Sequence, residues 1–139
     1  NSHILDLFSG TGSFGIECIS RNARKVTFIE NYNLALKILK KNIKSLGVEN
    51  KAEIIEEECF NFFESKKKFE KKFNLIFMDP PYRENKINLI INNIKEREIL
   101  NKNGILIIHR HKKDNIDISD KLKILDERNY GISKIIIGN

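Results

Sequence analysis

His3-Ile4-Leu5-Asp6-Leu7-Phe8-Ser9-Gly10-Thr11-Gly12-Ser13-Phe14-Gly15 decides the fold. The apolar run His3 to Phe8 stops at a Ser-Gly-Thr-Gly turn and reads as a buried parallel strand. A helix is expected over 14–22. The six residues from Gly10 to Gly15 fit GxGxxG between strand and helix, where glycine lets the backbone turn sharply and approach a ligand closely. The motif alone is shared by several nucleotide-binding classes and by purely structural turns. Asp6, a charge inside the strand, needs a further reason.

The pattern continues outward. Lys25 to Ile29 predicts a second strand ending at Glu30. Apolar residues at 34, 35, 38, 39, 43 and 46 predict an amphipathic helix closed by Gly47. Ala52 to Ile55 predicts a third strand, Phe60 to Phe63 starts a short helix, and Phe73 to Met78 predicts a buried strand ending at Asp79-Pro80-Pro81-Tyr82. A helix over 87–100 and a strand over 104–108 follow. Strands over 121–126 and 132–137, joined at Asn129-Tyr130-Gly131, predict an antiparallel hairpin. The fold class is therefore α/β: a mainly parallel sheet with an antiparallel edge.

The chain has 139 residues, enough for one such domain. With 40% hydrophobic and 32% charged residues it is a folded chain, not a disordered tail. The net charge of +6 suits a polyanionic partner, but heavy Lys, Asn and Ile usage also fits an AT-rich coding bias. Two cysteines, Cys18 and Cys59, without CxxC spacing give no disulfide framework or zinc site and fit a reducing cytoplasm. No apolar run approaches the roughly 20 residues that span a bilayer. Asn1 stands three residues before a central strand, so a preceding N-terminal segment is expected.

Three strand ends bear the residues a cofactor would need. Asp6 suits an acid near the amino group of a methionine moiety, or a cap for the loop amides, and both roles can coexist. A branched side chain at Gly12 would be expected to fill the methionine space. Glu30, twenty positions after Gly10, can accept both hydroxyls of an adenosyl ribose. Glu58-Cys59 follows the third strand at the same sheet edge, where a side chain and a backbone amide can read adenine, with Cys59 as a small apolar wall. The adjacent acids Glu56 and Glu57 leave a plain acidic loop as the alternative.

Asp79-Pro80-Pro81-Tyr82 is the most specific signal. An exocyclic amine on a nucleic-acid base delocalises its lone pair into the ring and is a poor nucleophile. The Asp79 carboxylate and the Pro80 carbonyl can both accept hydrogen bonds from it, favouring a pyramidal nitrogen. Two prolines stiffen the loop that holds these acceptors, and Tyr82 offers a stacking face for an extruded base. This chemistry needs no metal. Of two basic clusters, Lys66-Lys67-Lys68 with Lys71-Lys72 receives no role. His109-Arg110-His111-Lys112-Lys113 starts at a strand's carboxyl end, where phosphate contacts are expected.

Together, LDLFSGTGSFGIECISR (5–21, with Glu17 and Ser20-Arg21), FIEN (28–31), Asn42, MDPPY (78–82) and the closing NYGISKIIIG resemble the RsmD-type methyltransferases, which modify a guanine amino group in 16S ribosomal RNA. The resemblance implies a Rossmann-like, seven-stranded methyltransferase sheet with helices on both faces, binding S-adenosylmethionine and releasing S-adenosylhomocysteine. It implies a cofactor set of Asp6, Phe8, Gly10, Gly12, Glu30, Asn31, Glu58, Cys59 and Asp79, and catalysis by Asp79, Pro80 and Tyr82. It further implies a monomeric cytoplasmic enzyme acting on 16S rRNA, free or in an assembling 30S subunit, with a basic N-terminal RNA-binding segment that this chain lacks. Two positions depart from the pattern: His109 stands where relatives usually carry an acid, and Glu58 replaces an Asn or Asp. Three alternatives compete with this reading. An adenine amino-methyltransferase acting on DNA would need a separate recognition region. An oxidoreductase leaves Asp79-Pro80-Pro81-Tyr82 without a role, and a non-catalytic RNA-binding domain leaves the intact motifs unexplained.

Overall fold

The computed structural model describes residues 1–65, 71–81, 86–114, 118 and 120–139. Strands β1 (His3–Leu7), β2 (Lys25–Ile29), β3 (Ala52–Ile55), β4 (Phe73–Met78) and β5 (Leu100–His111) alternate with helices α1 (Ser13–Ser20), α2 (Asn33–Ser45), α3 (Cys59–Ser65) and α4 (Ile87–Glu96). Strands β6 (Ile124–Tyr130) and β7 (Ser133–Gly138) close the chain. They form one seven-stranded sheet in the order β3-β2-β1-β4-β5-β7-β6. The first five strands pair in parallel, and β7 joins β5 and β6 antiparallel. This is the Rossmann-like sheet with an antiparallel edge hairpin that the sequence predicts.

Alternation along each strand sorts residues between two cores. On one face Leu5 and Leu7 of β1, with Ile76 and Met78 of β4, pack in a cluster with Phe62 and Phe63 of α3 and Ile90, Ile91 and Ile94 of α4. On the other, Ile4 of β1 with Val26 and Phe28 of β2 packs with Ile19 of α1 and Leu36, Leu39 and Ile43 of α2. Asp6 has the parity of Ile4 and is only 1% exposed. Its Oδ2 accepts the Gly15 N–H at 3.0 Å, so the buried carboxyl caps the first turn of α1. Gly15 itself is buried against β2: a Cβ there would lie 2.7 Å from Phe28 Cζ and 2.8 Å from Val26 Cγ1. The third glycine of the motif thus serves close helix–strand packing.

Boundaries differ from expectation in the C-terminal half. The fourth helix ends at Glu96, not Leu100, because Glu98 adopts φ 49° and turns the chain back. Leu100 then pairs with Phe73, so β5 begins four residues before Gly104 and runs on to His111. Strand β6 starts at Ile124 because Lys121 and Leu122 both donate to the Ile118 carbonyl, closing a turn where a strand was expected. Asn129 and Tyr130 belong to β6, leaving Gly131-Ile132 as the hairpin connection. Most β6 side chains are exposed, and its run Asp126-Glu127-Arg128 gives a charged edge that resists pairing with other chains.

Gly15→Ala should destabilise the fold by about 1–3 kcal/mol through overpacking against Phe28, read as a lower urea midpoint. Burial pushes the Asp6 carboxyl up to about 8, with the Asp79 and Glu30 carboxylates adding to the shift and the Gly15 N–H opposing it. A carboxyl raised on folding contributes stability that is fully present below its unfolded value of 3.8 and lost as pH rises to about 8. Urea titrations across that window should therefore show a decline with pH that Asp6→Asn flattens. An unchanged slope would remove Asp6 as its source.

Candidate active site

The strand order reverses at β1: the chain steps from β1 to β2 and β3, then returns to place β4 on the other side of β1. The carboxyl ends of β1 and β4 flank the resulting crevice, the usual ligand site of open α/β sheets. A cavity of about 640 Å³ opens there, within the range of small-molecule sites. It is lined by Phe8 and Gly10 after β1, Glu30 to Tyr32 after β2, Ala35 of α2, Glu58 after β3, Asp79 to Pro81 after β4, and His109 near the end of β5.

The glycine loop is tied down from three sides. Ser9 N–H donates to the Ile29 carbonyl at 3.0 Å, and Asn42 Nδ2 donates to the Thr11 carbonyl at 3.1 Å. Glu30 Oε2 accepts the Gly10 N–H at 2.7 Å while its Oε1 accepts Asn31 and Tyr32 N–H, each at 2.8 Å. Glu30 is therefore a clamp on its own loop and on the entry to α2, not a solvated residue beyond a strand. A carboxylate offers about four acceptor positions, so one remains, on Oε2.

The two loop glycines serve different ends. Gly10 (φ 55°) lines the cavity, and a Cβ there would meet nothing within 4 Å. Gly12 (φ 83°) is buried, and a Cβ there would run into Leu39 Cδ1 in the core. The space expected to exclude a side chain at Gly12 is thus occupied by α2; open space for a ligand lies over Gly10. Phe8 takes the left-handed conformation at φ 58°, a strained choice for an aromatic residue and one that clusters at functional sites. Its ring meets Phe60 edge-on at 6.5 Å.

Glu58 Oε2 accepts the N–H groups of Phe60 at 2.9 Å and Asn61 at 3.1 Å, capping α3. That is the work a shorter Asn or Asp does at such a position. Burial pushes the Cys59 thiol up to about 12, so it stays neutral and packs as an apolar group in the core. Cys59, like Asp6 and Gly12, lies behind the cavity lining.

At the other lip, Asp79 Oδ1 lies 2.6 Å from His109 Nδ1. With Asp79 ionised, the ring nitrogen is the donor. Arg110, 4% exposed, donates from one guanidinium nitrogen to the Pro81 carbonyl at 3.0 Å and pairs through the other with Asp114 at 2.8 Å. The expected phosphate contacts of this basic run therefore exclude Arg110, which faces inward; Lys112 and Lys113 are exposed. His109, which the sequence groups with the phosphate contacts, instead lines the cavity beside Asp79: Met78 pairs with Ile108, which makes Asp79 and His109 neighbours one step on. Tyr82 lies outside the described residues, as do Lys66 to Lys68. Lys72 pairs with Glu98 at 3.1 Å, just before the amino end of β4 and away from the cavity.

Among the described residues, no cluster of His, Cys, Asp and Glu is arranged to hold a metal ion, and no helix is long and apolar enough to cross a membrane. The sequence matches the family described as Conserved hypothetical protein 95 across residues 1–139. A ribosomal RNA small subunit methyltransferase D of Buchnera aphidicola is 38% identical over 84% of this chain, which spans 59% of that relative's length. The protein of the same name from Haemophilus influenzae is 31% identical over 94% of this chain and 68% of its own length. In structure, a conserved hypothetical protein of Streptococcus pyogenes superposes with a TM-score of 0.89 at 27% identity, over 99% of this chain and 84% of that one. A protein complexed with S-adenosylhomocysteine shares the fold at a TM-score of 0.79 and 17% identity, over 99% of this chain and 45% of that one. The match along the full chain and the Haemophilus relative together establish that this chain belongs to the Conserved hypothetical protein 95 family, the RsmD-type methyltransferases.

Proposed function

We propose that the chain transfers a methyl group from S-adenosylmethionine to the exocyclic N2 amino group of a guanine in 16S ribosomal RNA, as a monomeric cytoplasmic enzyme acting on free rRNA or an assembling 30S subunit. One observation carries the reading: Asp79 and Pro80 line a single cavity with Gly10 and Glu30. The residues fit the cofactor: open space above Gly10, carboxylates at the ends of β2 and β3, and apolar surface from Phe8 and Ala35. Bound there, S-adenosylmethionine would supply an electrophilic methyl group on a sulfonium centre.

The protein's task is to make a weak amine nucleophilic. Asp79 Oδ1 is engaged by His109, which leaves Oδ2 to accept one N–H of the target amine. The Pro80 carbonyl accepts the other. Both prolines fix φ, so the two acceptors keep their spacing while the amine is drawn out of conjugation. As the N–CH₃ bond forms, the amine becomes acidic, and Asp79 Oδ2 is placed to take its proton. Tyr82, adjoining Pro81, is assigned the stacking face for the base. Exposed Lys112 and Lys113, just past β5, are assigned to RNA phosphates.

Two experiments test the site. Asparagine tolerates the left-handed backbone of Gly10, so Gly10→Asn should keep its unfolding free energy within about 1 kcal/mol of wild type. It should nonetheless weaken calorimetric binding of S-adenosylhomocysteine by about tenfold or more. Gly12→Asn should instead show its main effect in stability, and unchanged affinity in Gly10→Asn would move the cofactor elsewhere. In single-turnover methyl transfer to naked rRNA, 30S particles and DNA in parallel, Asp79→Ala should cut the rate about 10²–10⁴-fold with cofactor affinity intact. Asp79→Asn should fall between: its one carbonyl oxygen cannot serve both His109 and the amine unless the histidine changes tautomer. Normal turnover by Asp79→Ala, or transfer confined to DNA, would overturn the proposal.

A further inference from the structure

Side chains at consecutive positions of a strand point to opposite faces of the sheet, and the end of β5 uses this to grip the neighbouring loop from both sides. His109 reaches Asp79 Oδ1 at 2.6 Å on one face, and Arg110 reaches the Pro81 carbonyl at 3.0 Å on the other. The two contacts bracket Asp79-Pro80-Pro81. The Arg110 guanidinium is buried and itself held by Asp114 at 2.8 Å, so this jaw is fixed. His109 is different in kind. It lines the cavity, its side chain is 21% exposed, and that of its partner Asp79 is 45% exposed. A carboxylate this open can rotate about its Cα–Cβ and Cβ–Cγ bonds unless something holds one oxygen.

We propose that His109 is a positioning residue of the reaction: by donating from Nδ1 to Asp79 Oδ1 it fixes the carboxylate plane, so that Oδ2 faces the target amine. This rests on the assignment of Asp79 as the amine acceptor. A hydrogen bond to an ionised acceptor is short and directional, which is how one contact can set the plane. A donor at this position also spares the site a further negative charge beside Asp79, where Glu30 and Glu58 already line the same cavity. The ring is a donor at Nδ1 both as the imidazolium and as the neutral Nδ1–H tautomer. The neutral form keeps Nε2 as an acceptor; the tautomer is set by whatever Nε2 meets.

The test compares His109→Ala with His109→Asn, whose Nδ2 lies close to where the histidine Nδ1 stands and can donate the same bond. His109→Ala should lower the single-turnover rate about 10- to 100-fold, the cost of a misplaced reacting group, with affinities for S-adenosylhomocysteine and RNA unchanged. His109→Asn should recover most of that loss. Full activity in His109→Ala, or no recovery in a folded His109→Asn, would overturn the proposal, as would a loss in His109→Ala that appears only in binding. The ring nitrogen signals of His109 give an answer that does not depend on turnover: ¹⁵N NMR should show a protonated Nδ1 whose shift changes in Asp79→Ala. A wild-type protein that binds S-adenosylhomocysteine but methylates none of the three substrates would sink the proposed function. The contact would then stand or fall on the NMR result, and an Nδ1 signal identical in wild type and Asp79→Ala would overturn it.

Discussion

Leu7 pairs with Ile29 of β2 on one side and with Met78 of β4 on the other, so β1 is flanked by both and the three strand ends lie level. Parallel pairing at this point is the constraint from which the site follows. It brings the loop after residue 7 and the loop after residue 78 to one edge, although about 70 residues separate them in sequence. The register is held by apolar side chains on both faces, since a slip of one residue would put Leu5 and Leu7 where Ile4 and Asp6 belong. The carboxyl buried in this strand makes the constraint sharper: Asp6 accepts the Gly15 N–H at 3.0 Å on the α1 face, and a one-residue slip would turn its side chain to the other face.

Placing acids at adjacent strand ends has an electrostatic cost. Asp79 and Glu30 both raise the Asp6 carboxyl, after burial itself. Each of these acids has a partner in the fold: Gly15 for Asp6, three backbone amides for Glu30, and His109 for Asp79. The backbone N–H dipoles spread the Glu30 charge without cancelling it, and Glu58 adds a further carboxylate to the same cavity. A cavity of this kind favours a ligand carrying positive charge, as a sulfonium with a free amino group does. The same field disfavours RNA phosphates at the mouth. In the proposed reaction, lysines such as Lys112 and Lys113 on the rim would therefore offset it, and the backbone of the substrate would be held there rather than over the cavity.

The N-terminal half was legible in the sequence because its strands are short, apolar and punctuated. The runs at 25–29, 52–55 and 73–78 form the strands read from them. The region after α4 was not, for two physical reasons. Ile99 and Leu100 extend the apolar spacing of Ile87, Ile90, Ile91 and Ile94, while the break at Glu98 comes from a left-handed backbone in a residue that gives no turn signal. The edge strand β6 is polar along most of its length, so apolar patterning pulled its expected start toward Leu122. At the site, residue types and strand ends pointed to Gly10, Glu30, Glu58 and Asp79, which line one cavity. What the types could not supply was direction. Gly12 faces the core and not the cavity, and Arg110 turns inward from a run that looks uniformly basic.

Direction also explains why so few positions separate folding from chemistry here. Glu30 clamps the glycine loop, Glu58 caps α3 and Asp6 caps α1. Removing any of these carboxylates frees backbone N–H groups, and an unpaired buried donor costs about 1–3 kcal/mol on its own. A lost activity at such a position would therefore carry a folding effect whatever its part in the chemistry. Gly10 and His109 escape this coupling. The first has open space where its side chain would be, and the second is half-buried in the cavity wall with its bond directed at the Asp79 side chain, not at the backbone. The scaffold thus fixes where the acceptors stand through bonds to backbone N–H groups, while the contact proposed to orient Asp79 is made between side chains alone.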